Sequence, residues 1–111
     1  MSPSEVDRLF HALADATRRD IVQRVAGTGL SITELARRYP MTMTAVQKHV
    51  GVLVDAGLVT KRRHGREQRV IGNLAAVQRA QQLLAHFEQL WRVRVAAMAD
   101  ILDETDEGAR A

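Results

Sequence analysis

SITELARRYPMTMTAVQKHVGVLVDAG, residues 31–57, contains two short amphipathic helices and the turn between them. Ser31 and Glu34 have the spacing of a capping box, in which each can satisfy the other's amide, so the first helix is predicted to start at Ile32. Ile32, Leu35 and Ala36 give it a narrow apolar stripe, and Pro40 ends it by removing a donor and disfavouring helical geometry at Tyr39. Thr42 is placed to cap the second helix. There Val46, Val50 and Leu53 recur at i, i+4 and i+7 and must face inward. Thr44, Lys48 and Gly51 then face out, with Ala45 and Gln47 on the flanks. The outward face is small, polar and free of carboxylates. A helix with that surface can enter a DNA major groove, where bulk blocks approach and negative charge meets phosphate. The candidate DNA-binding positions of this helix are Thr42, Met43, Thr44, Ala45, Gln47, Lys48 and His49, of which His49 reads as a helix-packing or phosphate-contacting residue.

Working outward, Leu58 to Arg63 and Glu67 to Ile71 read as two short strands, with His64-Gly65-Arg66 as the turn between them. This hairpin carries Lys61, Arg62, Arg63, Arg66 and Arg69 against Glu67 alone. A hairpin so charged, following a groove-reading helix, suits phosphate contact or minor-groove entry. Lys61, Arg62, Arg63, His64, Arg66 and Arg69 are therefore the candidate wing and backbone contacts. Upstream, Ser2-Pro3-Ser4-Glu5 is a second capping box, opening a helix whose stripe is Val6, Leu9, Phe10 and Leu13. Asp15 caps the next helix, Ile21, Val22 and Val25 form its inner face, and Gly27 with Gly29 close it. Arg18, Arg19 and Arg24 on that helix read equally well as a solvated face or as phosphate contacts. Downstream, Ala56-Gly57 ends the second central helix and Asn73 can cap a long final helix reaching about Asp103. Val77, Leu84, Trp91 and Met98 recur on it every seventh residue, and Leu83, Phe87, Leu90, Val95, Ile101 and Leu102 widen the stripe. That face is broader than so small a domain can cover alone, which predicts a two-fold dimer.

The chain has 111 residues, enough for one domain, assigned to residues 1–103, followed by an acidic, disordered tail at 104–111. Apolar residues make up 46% and charged residues 26%, a globular balance, and no apolar run approaches a membrane span or signal sequence. The expected compartment is the cytoplasm. With no cysteine, disulfides, zinc ribbons and thiolate chemistry are excluded. Net charge is +3; leaving out residues 103–111, with four acids and one base, leaves 15 basic against 9 acidic side chains. The partner this implies is a polyanion, double-stranded DNA. A Gly-rich phosphate loop, a clustered ligand set and a nucleophile elbow are all missing, so an enzyme is not expected.

Over roughly residues 4 to 102 the chain resembles the ArsR/SmtB winged-helix repressors. The resemblance rests on ALADATRRDIV (Ala12 to Val22, with Ala16 where proline is usual), ITELAR, VQKHVGVLVDAGLV (Val46 to Val59) and RRHGRE, in the family's order and spacing. It implies a winged helix-turn-helix, mostly α with a small β-hairpin, of about five helices plus a two-stranded wing. It further implies a homodimer on an inverted-repeat operator, repressing by occlusion, with the dimer contact on the first and last helices. The corresponding residues are Val6, Leu9, Phe10 and Leu13, and Leu84, Phe87, Trp91 and Met98. Serine is common in the family where this chain has Gln47, a basic residue where it has Gly51, and an aromatic where it has Val70 and Ile71. These differences bear on operator sequence.

The family's metal-sensing branch is tested residue by residue. Its cysteine site is absent. On the last helix His86 has Gln82, Gln89 and Leu90 as same-face neighbours, none of them a ligand type suited to the site. Asp7, His11 and Asp15 share a face of the first helix, a pattern typical of an ion-paired surface histidine. No metal and no cofactor are expected, and the residues name no effector. Two alternatives are a metal-responsive repressor of the same family and a winged helix serving protein or RNA contacts. The second would call for large apolar residues on the outward helix face, where Thr44, Lys48 and Gly51 stand.

Overall fold

A computed structural model of the chain describes the backbone of residues 2–110 and the side chains of residues 2–103. The element order is α1 (Pro3–Leu13), α2 (Ala16–Arg24), β1 (Leu30–Ser31), α3 (Ile32–Ala36), α4 (Met43–Asp55), β2 (Val59–His64), β3 (Glu67–Gly72) and α5 (Leu74–Arg110). One compact unit extends to Ala80 and a second starts at Gln81, so α5 contributes to both. Among the described residues no helix is long and apolar enough to cross a membrane.

Helix starts follow local capping chemistry. Ser2 and Glu5 exchange both bonds of a capping box, Asp15 accepts the amide of Arg18 at 3.0 Å, and Thr42 accepts that of Ala45 at 3.1 Å. Asn73 accepts the amide of Ala75 and also donates to the carbonyl of Gly57, which ties the end of α4 to the start of α5. Ser31 caps α3 by accepting the amide of Glu34 at 3.1 Å. The return bond expected from Glu34 is not formed among the described residues. Ser31 is also a strand residue, paired with Arg69.

The sheet holds the two-stranded wing and extends it. The expected hairpin is present, with Val59 opposite Gly72 and His64 opposite Glu67, but Leu30–Ser31 adds a third antiparallel strand on the other edge of β3, in the order β1-β3-β2. Two residues are too few for an alternation to register in sequence. Gly29 makes this close approach possible. Its φ is +79°, and a Cβ there would stand 2.3 Å from the carbonyl oxygen of Val70. Gly27 has φ +81° with open space around it. Gly29→Ala is therefore expected to incur both a backbone strain of about 1–3 kcal/mol and a steric clash, whereas Gly27→Ala incurs the strain alone. Thermal melts should show Gly29→Ala lower than Gly27→Ala by about 4–8 °C for each kcal/mol of clash. Equal melts would mean that β1 does not press on β3.

The core of the first unit joins Leu9, Ala12, Ile21, Val25, Leu35, Val46, Val50, Leu53, Leu58, Val59 and Val70, with Ala76 and Ala80 from the first two turns of α5. The inward face expected for α4 is the one buried. Leu9 requires a correction: it is 1% exposed in this chain's own core and is not open to a partner. Leu13 packs against the same core, Val6 is half-buried, and Phe10 stays exposed. An apolar stripe shows which face of a helix is buried, and part of this one is covered from within.

In the second unit, Leu84, Phe87, Leu90, Trp91, Val95, Met98, Ile101 and Leu102 are all exposed. α5 is helical to Arg110, past the end near Asp103 expected from sequence, because no proline or earlier glycine stops it before Gly108. The acidic tail assigned to 104–111 has side chains that lie outside the described residues, as does Ala111 altogether.

Candidate nucleic-acid interface

α4 positions the first half of the candidate surface. Burying Val46, Val50 and Leu53 fixes its rotation, so Thr42, Met43, Thr44, Gln47 and Lys48 are exposed and Ala45 and Gly51 half-exposed. A Cβ at Gly51 would meet nothing within 4 Å, so the middle of this face is open. Its first turn holds no acidic residue. Gln47 and Thr44 offer hydrogen-bond groups suited to base edges, and Lys48 a mobile cation.

The second half is the hairpin. Lys61, Arg62, Arg63, His64 and Arg66 are exposed, and no ion pair involves them among the described residues. Arg62 lies directly opposite Arg69 across the ladder. Like charges in that relation repel, and a phosphate near them would relieve the repulsion. Arg69 itself departs from the simple wing assignment. It is half-buried, its Nη1 donates to the carbonyl of Thr28 at 3.2 Å, and its Nε is buried without a partner. The side chain bridges the wing to the loop before β1, which leaves it less free than its neighbours to follow a DNA backbone.

The arginines of α2 each make contacts within the protein. Arg18 and Arg19 donate to carbonyls at the end of α1, and Arg24 pairs with Asp20 at 2.6 Å. Asp20 also accepts from the Tyr39 hydroxyl at 2.5 Å, fastening the turn between α3 and α4 to α2. That hydrogen bond, with the Arg24 charge beside it, holds the Asp20 carboxyl below its ordinary value, while burial and Asp20 push the Tyr39 phenol up to about 12, so it stays a donor.

His49 departs from its helix neighbours. It is half-buried and turned toward the start of α2, with Nδ1 3.4 Å from Nη1 of Arg18 and 3.8 Å from Oδ2 of Asp15. The Asp15 carboxyl is held low, first by the amide of Arg18 and also by the nearby Arg18 charge. The sequence offers helix packing or phosphate contact for His49 but not Arg18 as its partner, since 31 positions separate them. Sequence reading also passed over Arg37 and Arg38, exposed just before the turn into α4 and without an ion pair among the described residues. Two adjacent arginines beside Tyr39-Pro40 were the available signal. Asp7, His11 and Asp15 do not assemble into a ligand set, and no group of three or more His, Cys, Asp or Glu placed to hold a metal ion occurs among the described residues.

Comparison with known proteins gives the same kind of molecule. A helix-turn-helix domain family model matches residues 13–62. The HTH-type transcriptional regulator Rv2034 of Mycobacterium tuberculosis is 49% identical over 59 residues, covering 53% of this chain and 55% of the relative. The "probable mercury resistance operon repressor" of Streptomyces lividans is 33% identical over 67 residues, covering 60% of this chain and 54% of the relative. The chain thus spans about half the length of these two curated relatives. Among solved structures, an ArsR-like transcriptional regulator from Rhodococcus sp. RHA1 superposes with a TM-score of 0.80 at 32% identity, covering 88% of this chain and 92% of that one.

Proposed function

We propose that this chain, which belongs to the ArsR family of winged helix-turn-helix transcriptional regulators, is a homodimeric repressor that occupies an inverted-repeat operator and blocks transcription there. The observation that carries the reading is a recognition-type helix, α4, with an exposed carboxylate-free face, followed directly by a hairpin whose exposed cations have no ion-pair partners among the described residues. Repression is supported by the name of the Streptomyces relative. Dimerisation is supported by the exposed apolar stripe of α5 and by Phe10 on α1. The protein would work in the cytoplasm, where its DNA is accessible.

In this reading Gln47 and Thr44 read bases, Lys48 and the wing residues Lys61, Arg62, Arg63 and Arg66 hold phosphates, and His64 sits at the wing tip. A two-fold dimer presents both recognition helices to one side of the duplex, so half-sites should lie roughly 34 Å apart, one helical turn. Selection from randomised duplex DNA tests this. The unaltered protein should enrich an inverted repeat. Gln47→Ala should relax preference at one position per half-site, because a bidentate amide-to-adenine contact discriminates by about 1–3 kcal/mol. Arg66→Ala should weaken all sequences alike. Enrichment of no sequence at all by the unaltered protein would sink the reading. A shift in base preference with Arg66→Ala, together with a mere loss of affinity with Gln47→Ala, would reverse the roles of helix and wing.

A further inference from the structure

Three donor nitrogens of Arg18 are engaged by the protein. Its Nε donates to the carbonyl of Ala12 at 2.7 Å and its Nη2 to that of His11 at 2.9 Å, both in the last turn of α1, where the His11 carbonyl also accepts the amide of Ala14. Nη1 meets Nδ1 of His49 on α4 at 3.4 Å. A guanidinium donates and cannot accept, so in this contact Nδ1 is the acceptor. A neutral imidazole that accepts on one nitrogen carries its proton on the other. The opposite tautomer would aim a proton from Nδ1 at Asp15. Oδ2 of Asp15 is 3.8 Å away, beyond hydrogen-bond reach, and it already accepts the amide of Arg18 at 3.0 Å. The local geometry therefore selects the Nε2–H form. Nε2 has no partner among the described residues, and the His49 side chain keeps 24% of its surface exposed. His49 stands at the border of the exposed face of α4: Lys48 on one side of it is exposed and Val50 on the other is buried.

We propose that Arg18 is a positioning residue of the DNA-binding surface: by donating to Nδ1 of His49 it holds the imidazole in the tautomer protonated on Nε2, and that N–H donates to a phosphate oxygen of bound DNA. The proposal rests on the reading of α4 as the DNA-contacting helix. It explains why arginine stands at position 18. Lysine could not direct three donors along three fixed lines, two to the end of α1 and one to α4, from a single planar group. The contact also links the α1–α2 junction to the rotation of the recognition helix.

Two measurements on the full chain test it. Imidazole 15N shifts in histidine-labelled protein read the tautomer directly, and His49 should show the Nε2–H pattern in the unaltered protein and lose it in Arg18→Lys. Binding to the selected operator supplies the second readout. In His49→Gln the amide nitrogen can stand where Nε2 stood, so affinity should stay within about threefold. In His49→Asn the amide reaches only the Nδ1 position, and affinity should fall about tenfold or more on all sequences alike, the scale of one hydrogen bond to a charged group. An Nδ1–H pattern in the unaltered protein, or equal binding by the Gln and Asn variants, would overturn the proposal. Should Arg18→Lys fail to fold, the tautomer of the unaltered protein and the Gln/Asn pair still decide. If the unaltered protein binds no duplex, the DNA reading fails and takes the phosphate contact with it, while the 15N pattern separately decides whether Arg18 sets the tautomer.

Discussion

Replacing Trp91 by alanine is expected to take the dimer apart at concentrations where the unaltered protein is paired. Trp91 is 70% exposed, on the stripe with Leu84, Phe87 and Met98, each also exposed. A buried aromatic at the centre of an interface is worth at least about 2 kcal/mol on truncation. In a two-fold interface every substitution is made twice, so the dissociation constant should rise by about a thousandfold, equivalent to about 4 kcal/mol. Because residues from Gln81 onward form a unit separate from the first, the helix-turn-helix should keep its melting behaviour while operator affinity collapses with the lost second half-site. Sedimentation equilibrium checks the first statement and titration on half-site and full-site duplexes the second. A folded, monomeric unaltered protein at micromolar concentration would refute the dimer.

Salt should have an effect of similar size on operator binding. With Arg18, Arg19 and Arg24 each making an internal contact, the readiest phosphate contacts are Arg37 and Arg38 before α4, Lys48 on it, and Lys61, Arg62, Arg63 and Arg66 on the wing, all exposed without ion-pair partners among the described residues. If about four of these reach the backbone in each protomer, a dimer neutralises about eight phosphates, and log K should fall with log salt at a slope near −7. Affinity then drops by about four orders of magnitude between 50 and 200 mM salt. Arg66→Ala should make the slope shallower by roughly one unit per protomer. A slope shallower than about −3 would show that the wing does not lie along the backbone.

The parts of this molecule legible in its sequence are those set by neighbours a few residues apart. The caps at Ser2, Asp15, Thr42 and Asn73 and the rotation of α4 follow from spacings of two to seven residues. The hairpin was visible in its turn residues and its charge. The strand Leu30–Ser31 was hidden because its partner lies some 40 positions away and its pattern is only two residues long. For the same reason Leu9 could be placed on an apolar face without it being evident that the protomer's own core covers that face. The arginines of α2 were ambiguous because composition cannot distinguish a guanidinium facing water from one that closes the end of the preceding helix.

The third strand also constrains how such a protein can let go of DNA. Ser31 serves at once as the cap of α3 and as the residue facing Arg69 on β3. Folding the wing away would pull on the residue that begins α3, so in the proposed DNA complex the wing and the helix pair of one protomer are expected to move together. For a dimeric repressor, the freedom left to an inducing signal is the separation or tilt of its two DNA-reading heads. Release would come as a mismatch in stride along the duplex, with each half-site still correctly shaped for its own reader.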